Sequence, residues 1–268
     1  MHIMRRKFIP EINGPQFARN LLANLAGSLI LSVAQPVLAQ VTPKNYASPQ
    51  QASQALYESI RNKDDSALQA ILGGPQLVST GNDAEDEFER ERFAQKYREM
   101  HRLVRERGGS VVLYIGAENW PFPIPLVFAR GKWRFDPDVG AGEIRAREIG
   151  ENEMSAIQVS EALSKNGSAQ SGTVGVDDSI PAFVRDVTES GAANSPISKL
   201  FHGYFFRVFS EDTGNAVVVA YPSEYGNTGV MTFIGRGDAV FERDLGPDTA
   251  AVAQRSQGKL VGDWNRVK

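Results

Sequence analysis

Cysteine is absent from all 268 residues of the chain. That absence removes disulfides, thiol nucleophiles, iron–sulfur clusters and cysteine-based zinc sites together. Histidine is almost as scarce, and beyond residue 39 only His101 and His202 occur. A lone histidine on a helix or at a strand end is more often a hydrogen-bonded structural residue than a base. A catalytic triad would need Ser or Thr beside one of them, and the chain has no G-x-S-x-G elbow. H-E-x-x-H, a Walker loop and a dinucleotide fingerprint are missing too. Ser256-Gln257-Gly258-Lys259 fits S-x-x-K by letter but lies in a polar tail. Positive charge is not in surplus either, with 29 Lys and Arg against 32 Asp and Glu. Without residues 1–39, which hold four of those basic residues and one acid, 25 basic and 31 acidic residues remain, a net charge of −6. This balance argues against nucleic acid and disfavours anionic membrane surfaces.

What is present begins with an export signal. Arg5, Arg6 and Lys7 give a basic start, and Leu21 to Ala34 is an apolar run. The run is short, and Asn24 and Ser28 interrupt it, which suits a signal better than a membrane span. Val37-Leu38-Ala39 is the small-x-small pattern before a cut, predicting cleavage after Ala39 and a mature chain from Gln40. Arg5-Arg6-Lys7-Phe8-Ile9 also resembles a twin-arginine signal, with Met4 where Ser or Thr is usual. The expectation is a periplasmic or secreted protein with no transmembrane segment after cleavage. The alternative is an uncleaved membrane anchor.

Trp120 to Phe135, WPFPIPLVFARGKWRF, is the richest aromatic stretch. In an extended chain Pro121, Pro123 and Pro125 point one way, and Trp120, Phe122, Ile124, Leu126 and Phe128 the other. Proline cannot donate to a ladder, so the spacing predicts a sheet edge or a stiff polyproline-like rail. Arg130-Gly131 makes the turn and Lys132 to Phe135 the return strand.

Ahead of it, Val41 to Ala47 reads as a linker. Ser48-Pro49-Gln50-Gln51 then starts a helix with a capping box, and Ala52, Leu56 and Ile60 form its stripe. Asn62 to Asp65 separates it from a short helix, Ser66 to Leu72, which Gly73-Gly74-Pro75 stops. A longer helix is predicted from Asp83 to Arg107, acidic at its start, basic at its end, with Phe93, Tyr97, Met100 and Val104 as its apolar stripe. Ser110 to Gly116 reads as a strand.

A helix follows from Glu143 to Lys165, then a flexible insert from Asn166 to Asn194 with one ordered piece at Ile180 to Val187. The end is a β meander: Gly203 to Phe209, Ala216 to Tyr221, Val230 to Ile234 and Ala239 to Glu242. Its last turn is Gly235-Arg236-Gly237-Asp238, and a short helix after Asp248 closes it. The predicted fold class is α+β: N-terminal helices packed on a small antiparallel, cone-like sheet, then a helix and a C-terminal antiparallel meander. The predicted division is a signal peptide at 1–39, an α+β unit at 40–142 and a helix, insert and meander unit at 143–268. The element order of the first unit is similar to the nuclear-transport-factor-like fold.

Two groups of residues are candidates for binding. Asp136, Asp138 and Glu143 surround Gly140 and Gly142, a set of oxygen ligands that suits calcium, although the spacing is not that of an EF-hand. The other reading is a turn in which one of these acids caps the next helix. Tyr221, Glu224, Tyr225 and Asn227 crowd the loop between two strands and, with Trp120, would form an aromatic cleft for a small ligand or peptide. The other reading is a loop packed by its own aromatics.

Asn119 to Leu126 (NWPFPIPL) and Trp133-Arg134-Phe135-Asp136 resemble an exported bacterial family known only as domain of unknown function number twenty-nine fifty. So do Gly142-Glu143-Ile144, Arg147, Glu153, Ala220-Tyr221-Pro222 with Glu224-Tyr225-Gly226, Gly229 to Ile234 and Asp244 to Thr249. The likeness spans most of residues 48 to 253, and Asn166 to Asn194 departs from it as a shortened linker. The resemblance implies the fold and export but no activity. The terminal meander is also similar to the globular heads of pilin-related proteins. The sequence therefore reads as an exported, non-catalytic envelope protein that binds an envelope protein or small ligand without a cofactor. The alternatives are a carboxylate-based periplasmic hydrolase and a pilus- or secretion-associated structural component.

Overall fold

The computed structural model describes residues 42–79, 81–165, 179–190, 199–210, 216–256 and 258–267. The predicted signal peptide, most of the insert and the first meander turn lie outside them. The chain forms two compact units dividing between Glu143 and Ile144. The fold class is α+β as read, and each unit contains its own antiparallel sheet.

The first unit opens with residues that are not a linker. Tyr46 is buried and exchanges two backbone hydrogen bonds with Trp133, at 2.7 and 2.9 Å. Helix α1, Pro49–Arg61, starts as its sequence dictates: the Ser48 hydroxyl accepts from the Gln51 amide at 3.2 Å, and the Gln51 side chain reaches back to Ala47 N–H. Its Ala52, Leu56 and Ile60 are buried. Helix α2, Asp65–Leu72, is capped by Asp64 and ends at Gly73, whose φ of +88° favours glycine.

Helix α3, Asp83–Glu99, stops eight residues short of the predicted end. Met100 is already extended (φ −162°), and His101–Arg105 is strand β1, paired antiparallel with β2, Val111–Ile115. The basic run and Val104 read as a last helical turn, but β-branched Val104 and a neighbouring strand of the same kind favour the ladder. Local pattern alone does not reveal that partner.

Only the start of the proline-rich stretch is a sheet edge, with a ladder partner on one side. The stretch supplies β3, Trp120–Pro121, and β4, Leu126–Ala129, both paired with β2, while β5, Lys132–Phe135, closes a β1-β2-β4-β5 order. Tyr114 faces Pro121 and Val111 faces Leu126, so three steps along β2 oppose five along its partner. The two extra residues form a wide bulge over Phe122 to Pro125, where missing proline donors leave no gap in the ladder. Phe122, Ile124 and Leu126 are buried, and so are Pro123 and Pro125 between them, so the bulge is covered on both sides. Phe93, Phe122 and Phe135 meet edge to face at 5.7 and 5.9 Å and centre this core. Burying each ring is worth about 2–3 kcal/mol. Phe128, near the hairpin tip, is 60% exposed and leans on Trp133.

Helix α4, Pro137–Ser164, begins six residues earlier than predicted. The Asp136 carboxylate accepts from Val139 N–H at 3.3 Å and Pro137 takes the first helical position, so the apparent turn is a helix start. Gly140 lets the helix lie on the bulge: a Cβ there would sit 2.6 Å from the Ile124 side chain.

The second unit is a six-stranded meander ordered β11-β10-β9-β8-β7-β6. Its strands are β6 (Lys199–Phe201), β7 (Tyr204–Ser210), β8 (Ala216–Pro222), β9 (Met231–Arg236), β10 (Ala239–Asp244) and β11 (Asn265–Arg266). Strands β6 and β11 were not foreseen, being three and two residues long. Helix α5, Ser179–Glu189, contains the ordered piece expected in the insert. Together α4 and α5 cover one sheet face, where Ala156, Val159, Val184 and Val187 meet Tyr204, Phe206 and Phe233. Helix α6, Thr249–Ser256, covers the other, with Ala253 against Val217, Val219 and Tyr221. Strand β8 is buried on both faces, hence its unbroken AVVVAY. Gly235 is a strand residue rather than part of the turn. A Cβ there would lie 2.6 Å from the Ser160 carbonyl oxygen, so α4 rests directly on β9. The turn itself is Gly237-Asp238, with Gly237 at φ +60°. Among the described residues no helix is long and apolar enough to cross a membrane.

Candidate functional site

The loop from Ser223 to Val230 binds itself before it could bind anything else. Asn227 donates from its side chain to the Glu224 carboxylate at 2.7 Å, and the Asn227 and Thr228 amides donate to the Glu224 carbonyl. The Thr228 hydroxyl accepts from Glu224 N–H at 3.1 Å. Tyr225 donates to Asp244 at 3.2 Å, and burial, then that hydrogen bond and charge, raise its phenol above the usual value. Tyr221 is a core residue, packed on Phe205 at 5.7 Å. Trp120 belongs to the first unit. The second unit thus brings together Glu224, Tyr225 and Asn227, while Tyr221 faces its interior.

What holds this loop is Glu153, which entered the sequence reading only as part of a family motif. One of its carboxylate oxygens accepts from the amides of Val230 at 2.9 Å and Met231 at 3.0 Å. Neighbouring Asn152 donates to the Thr228 carbonyl at 2.9 Å. The buried Tyr204 hydroxyl donates to the Met231 carbonyl at 2.9 Å and lies 3.5 Å from Glu153; burial, then the adjacent Glu153, push its ionisation far up. On β10, Glu242 is raised above the ordinary carboxylate range, by burial and then by Glu153. Glu153 and Glu242 are therefore two acids in unlike environments, but one is engaged in fixing backbone. His202, at φ +44°, stacks on Phe201 at 4.2 Å, and Ser155 lies 3.5 Å from its Nδ1, too long for a strong hydrogen bond.

Of the predicted metal set, Asp136 is engaged in capping α4. No group of three or more His, Cys, Asp or Glu able to hold a metal occurs among the described residues.

A better cavity lies in the first unit, about 440 Å³, between α1, α3 and β1. Three rings stack there. Tyr57 lies on Tyr97 at 4.6 Å and 10°, and Tyr97 on His101 at 4.0 Å and 8°. Tyr97 and His101 line the cavity together with Gln50, Gln51, Gln54, Glu58 and Leu103. The stack is braced from below: Ser53 and Tyr97 share a hydrogen bond at 3.0 Å, and His101 Nδ1 lies 2.9 Å from the Tyr97 carbonyl. Burial raises the Tyr97 phenol, with the Ser53 bond acting against it. Sequence reasoning missed this wall because His101 was placed inside a helix. The glutamines at 50, 51 and 54 of a capped helix were its visible trace.

The family described as "Protein of unknown function (DUF2950)" matches residues 43–179 and 178–259. The chain belongs to this family. DUF2950 membership covers both units, and its two matched segments meet at the start of α5. No curated protein and no solved structure matches the chain.

Proposed function

We propose that this DUF2950 protein is an exported, non-catalytic envelope protein that binds a small polar ligand in the first unit. The observation that carries the reading is the cavity with Tyr97 and His101 on one wall and Gln50, Gln51, Gln54 and Glu58 around it. Flat rings take the apolar face of a sugar or peptide, and amides and a carboxylate take its hydroxyls or N–H groups. Export is supported by the basic start, the apolar run and the Val37-Leu38-Ala39 cut signal.

The test is calorimetric titration of the full mature chain with envelope-derived oligosaccharides and short peptides, alongside Gln54→Ala and His101→Ala. Loss of about tenfold or more in affinity with unchanged folding supports the reading. Equal affinity in all three proteins overturns it.

A carboxylate-based hydrolase is the second reading, favoured by the unlike pair Glu153 and Glu242. It requires turnover that Glu242→Gln abolishes without unfolding. The pilus- or secretion-associated reading rests on the terminal meander alone, and a clean monomer in the periplasmic fraction would count against it.

A further inference from the structure

We propose that the first unit has a second binding site, separate from the aromatic cavity, for a phosphoryl-bearing ligand of two or more negative charges. It is a cavity of about 400 Å³ lined by Arg130, Lys132 and Arg134 together with Thr42, Asn45 and Asp138. That volume is in the range of small-ligand sites.

Charge is the first argument. The chain as a whole is acidic, with a net charge of −3, yet this cavity gathers three cations and a single acid. Among the described residues none of the three side chains forms an ion pair, and only that of Arg134 donates a hydrogen bond, a long one of 3.4 Å to the Phe135 carbonyl. Elsewhere in the unit cations find acids readily, as Arg90 does with Asp65 and Lys96 with Glu118. Three cations around one cavity, with a single carboxylate among them, repel one another, and an anion relieves that repulsion.

Rigidity is the second argument. Lys132 and Arg134 are two apart on β5, so they share a side of the strand about 7 Å apart. Arg130 is fixed in the hairpin turn at φ +52°. The opposite wall is pinned by Lys44 N–H, which donates to the Ala70 carbonyl at 2.8 Å, and by Gly73, where a Cβ would meet Pro137 and Pro43 at 2.9 and 3.1 Å. The site is thus built from four segments before any ligand arrives.

Geometry selects the anion. Donors reach the cavity from a turn, a strand and the 42–45 segment. A tetrahedral phosphoryl group offers oxygens in all those directions, whereas a carboxylate accepts in one plane. Three cations less one carboxylate leave a surplus near two, the charge of a phosphomonoester or pyrophosphate.

The source of the phosphate can be a free molecule or a lipid headgroup, and two arms separate them. Pyrophosphate and inorganic phosphate are titrated calorimetrically into the full chain at low and moderate salt. In parallel, the chain is sedimented with vesicles of phosphatidic acid, a phosphomonoester lipid, in phosphatidylcholine, or of phosphatidylcholine alone. Saturable 1:1 pyrophosphate binding that weakens with salt, and by about tenfold for each of Lys132→Gln and Arg134→Gln, establishes a free-phosphate site. Sedimentation with the anionic vesicles alone, lost in the same variants, establishes a headgroup site. Arg134→Lys keeps the charge without the guanidinium fork and should fall between the two. Lys132 is exposed, so its variant tests the site with the fold undisturbed. Absence of both kinds of binding, identical binding in Lys132→Gln, or tighter binding of succinate than of pyrophosphate overturns the proposal.

Discussion

Glu153 shows how much a single carboxylate can organise. Its oxygen satisfies two consecutive amides at the start of β9, and Asn152 fixes the carbonyl just before them. Glu153→Ala leaves both amides without their acceptor and should cost about 2–4 kcal/mol, read by chemical denaturation. Hydrogen exchange at Val230 and Met231 should accelerate in the same variant; unchanged protection would show that the loop does not depend on Glu153. Glu242 gives a signed pH effect. Its carboxyl is raised in the fold, so the native state holds that proton more tightly than the unfolded chain does. The stabilisation is complete below the ordinary glutamate value of about 4.3 and is lost as pH rises through the raised value. Glu242→Gln should therefore be more stable than the parent at pH 8 and show a flatter pH profile, measured by denaturant melts across pH 4–8. A third residue-level case is Gly229, where a Cβ would fall inside the Tyr204 hydroxyl and ring. Gly229→Ala should destabilise by about 1–3 kcal/mol, an overpacking cost visible as a lowered thermal midpoint.

Elements differ in how plainly they could be read. Helix α1 was legible to the residue because a cap, a proline and a four-residue stripe agree. The terminal hairpins were legible because glycine-marked turns separate β-branched runs. The end of α3 was not, because the choice between a last helical turn and β1 is made by β2, ten residues further on. The proline-rich strand misled for a related reason. Phe122, Ile124 and Leu126 are buried as the alternation predicts, but Pro123 and Pro125 are buried too and Phe128 is exposed. Only the start of the stretch is an edge, and the letters hide this because an edge and an interior bulge both tolerate missing donors. At the site, Glu224, Tyr225 and Asn227 were visible by letter, whereas Glu153 acts across 77 residues of sequence and could not be placed. Phe122 carries the element-scale prediction. It sits on the bulge between Phe93 and Phe135, and Phe122→Ala should cost about 3–5 kcal/mol in denaturant melts. A cost below about 1 kcal/mol would mean that the bulge is not seated on the core.

At the scale of the whole molecule, two units with separate sheets share a chain that has no cysteine and matches DUF2950 across both. Stability must come from the two cores, since disulfides are ruled out. The first unit contains both proposed binding cavities. In the second, Glu153, Asn152 and Thr228 fix a loop. This division makes the binding account testable in one step. Native mass spectrometry of the protein recovered from the periplasm reports the N-terminus, the assembly state and any retained molecule together. The account predicts a chain beginning at Gln40 that carries a non-covalent polar ligand. An unprocessed chain confined to the cytosol, or a covalent acyl adduct on a mature one, would contradict it.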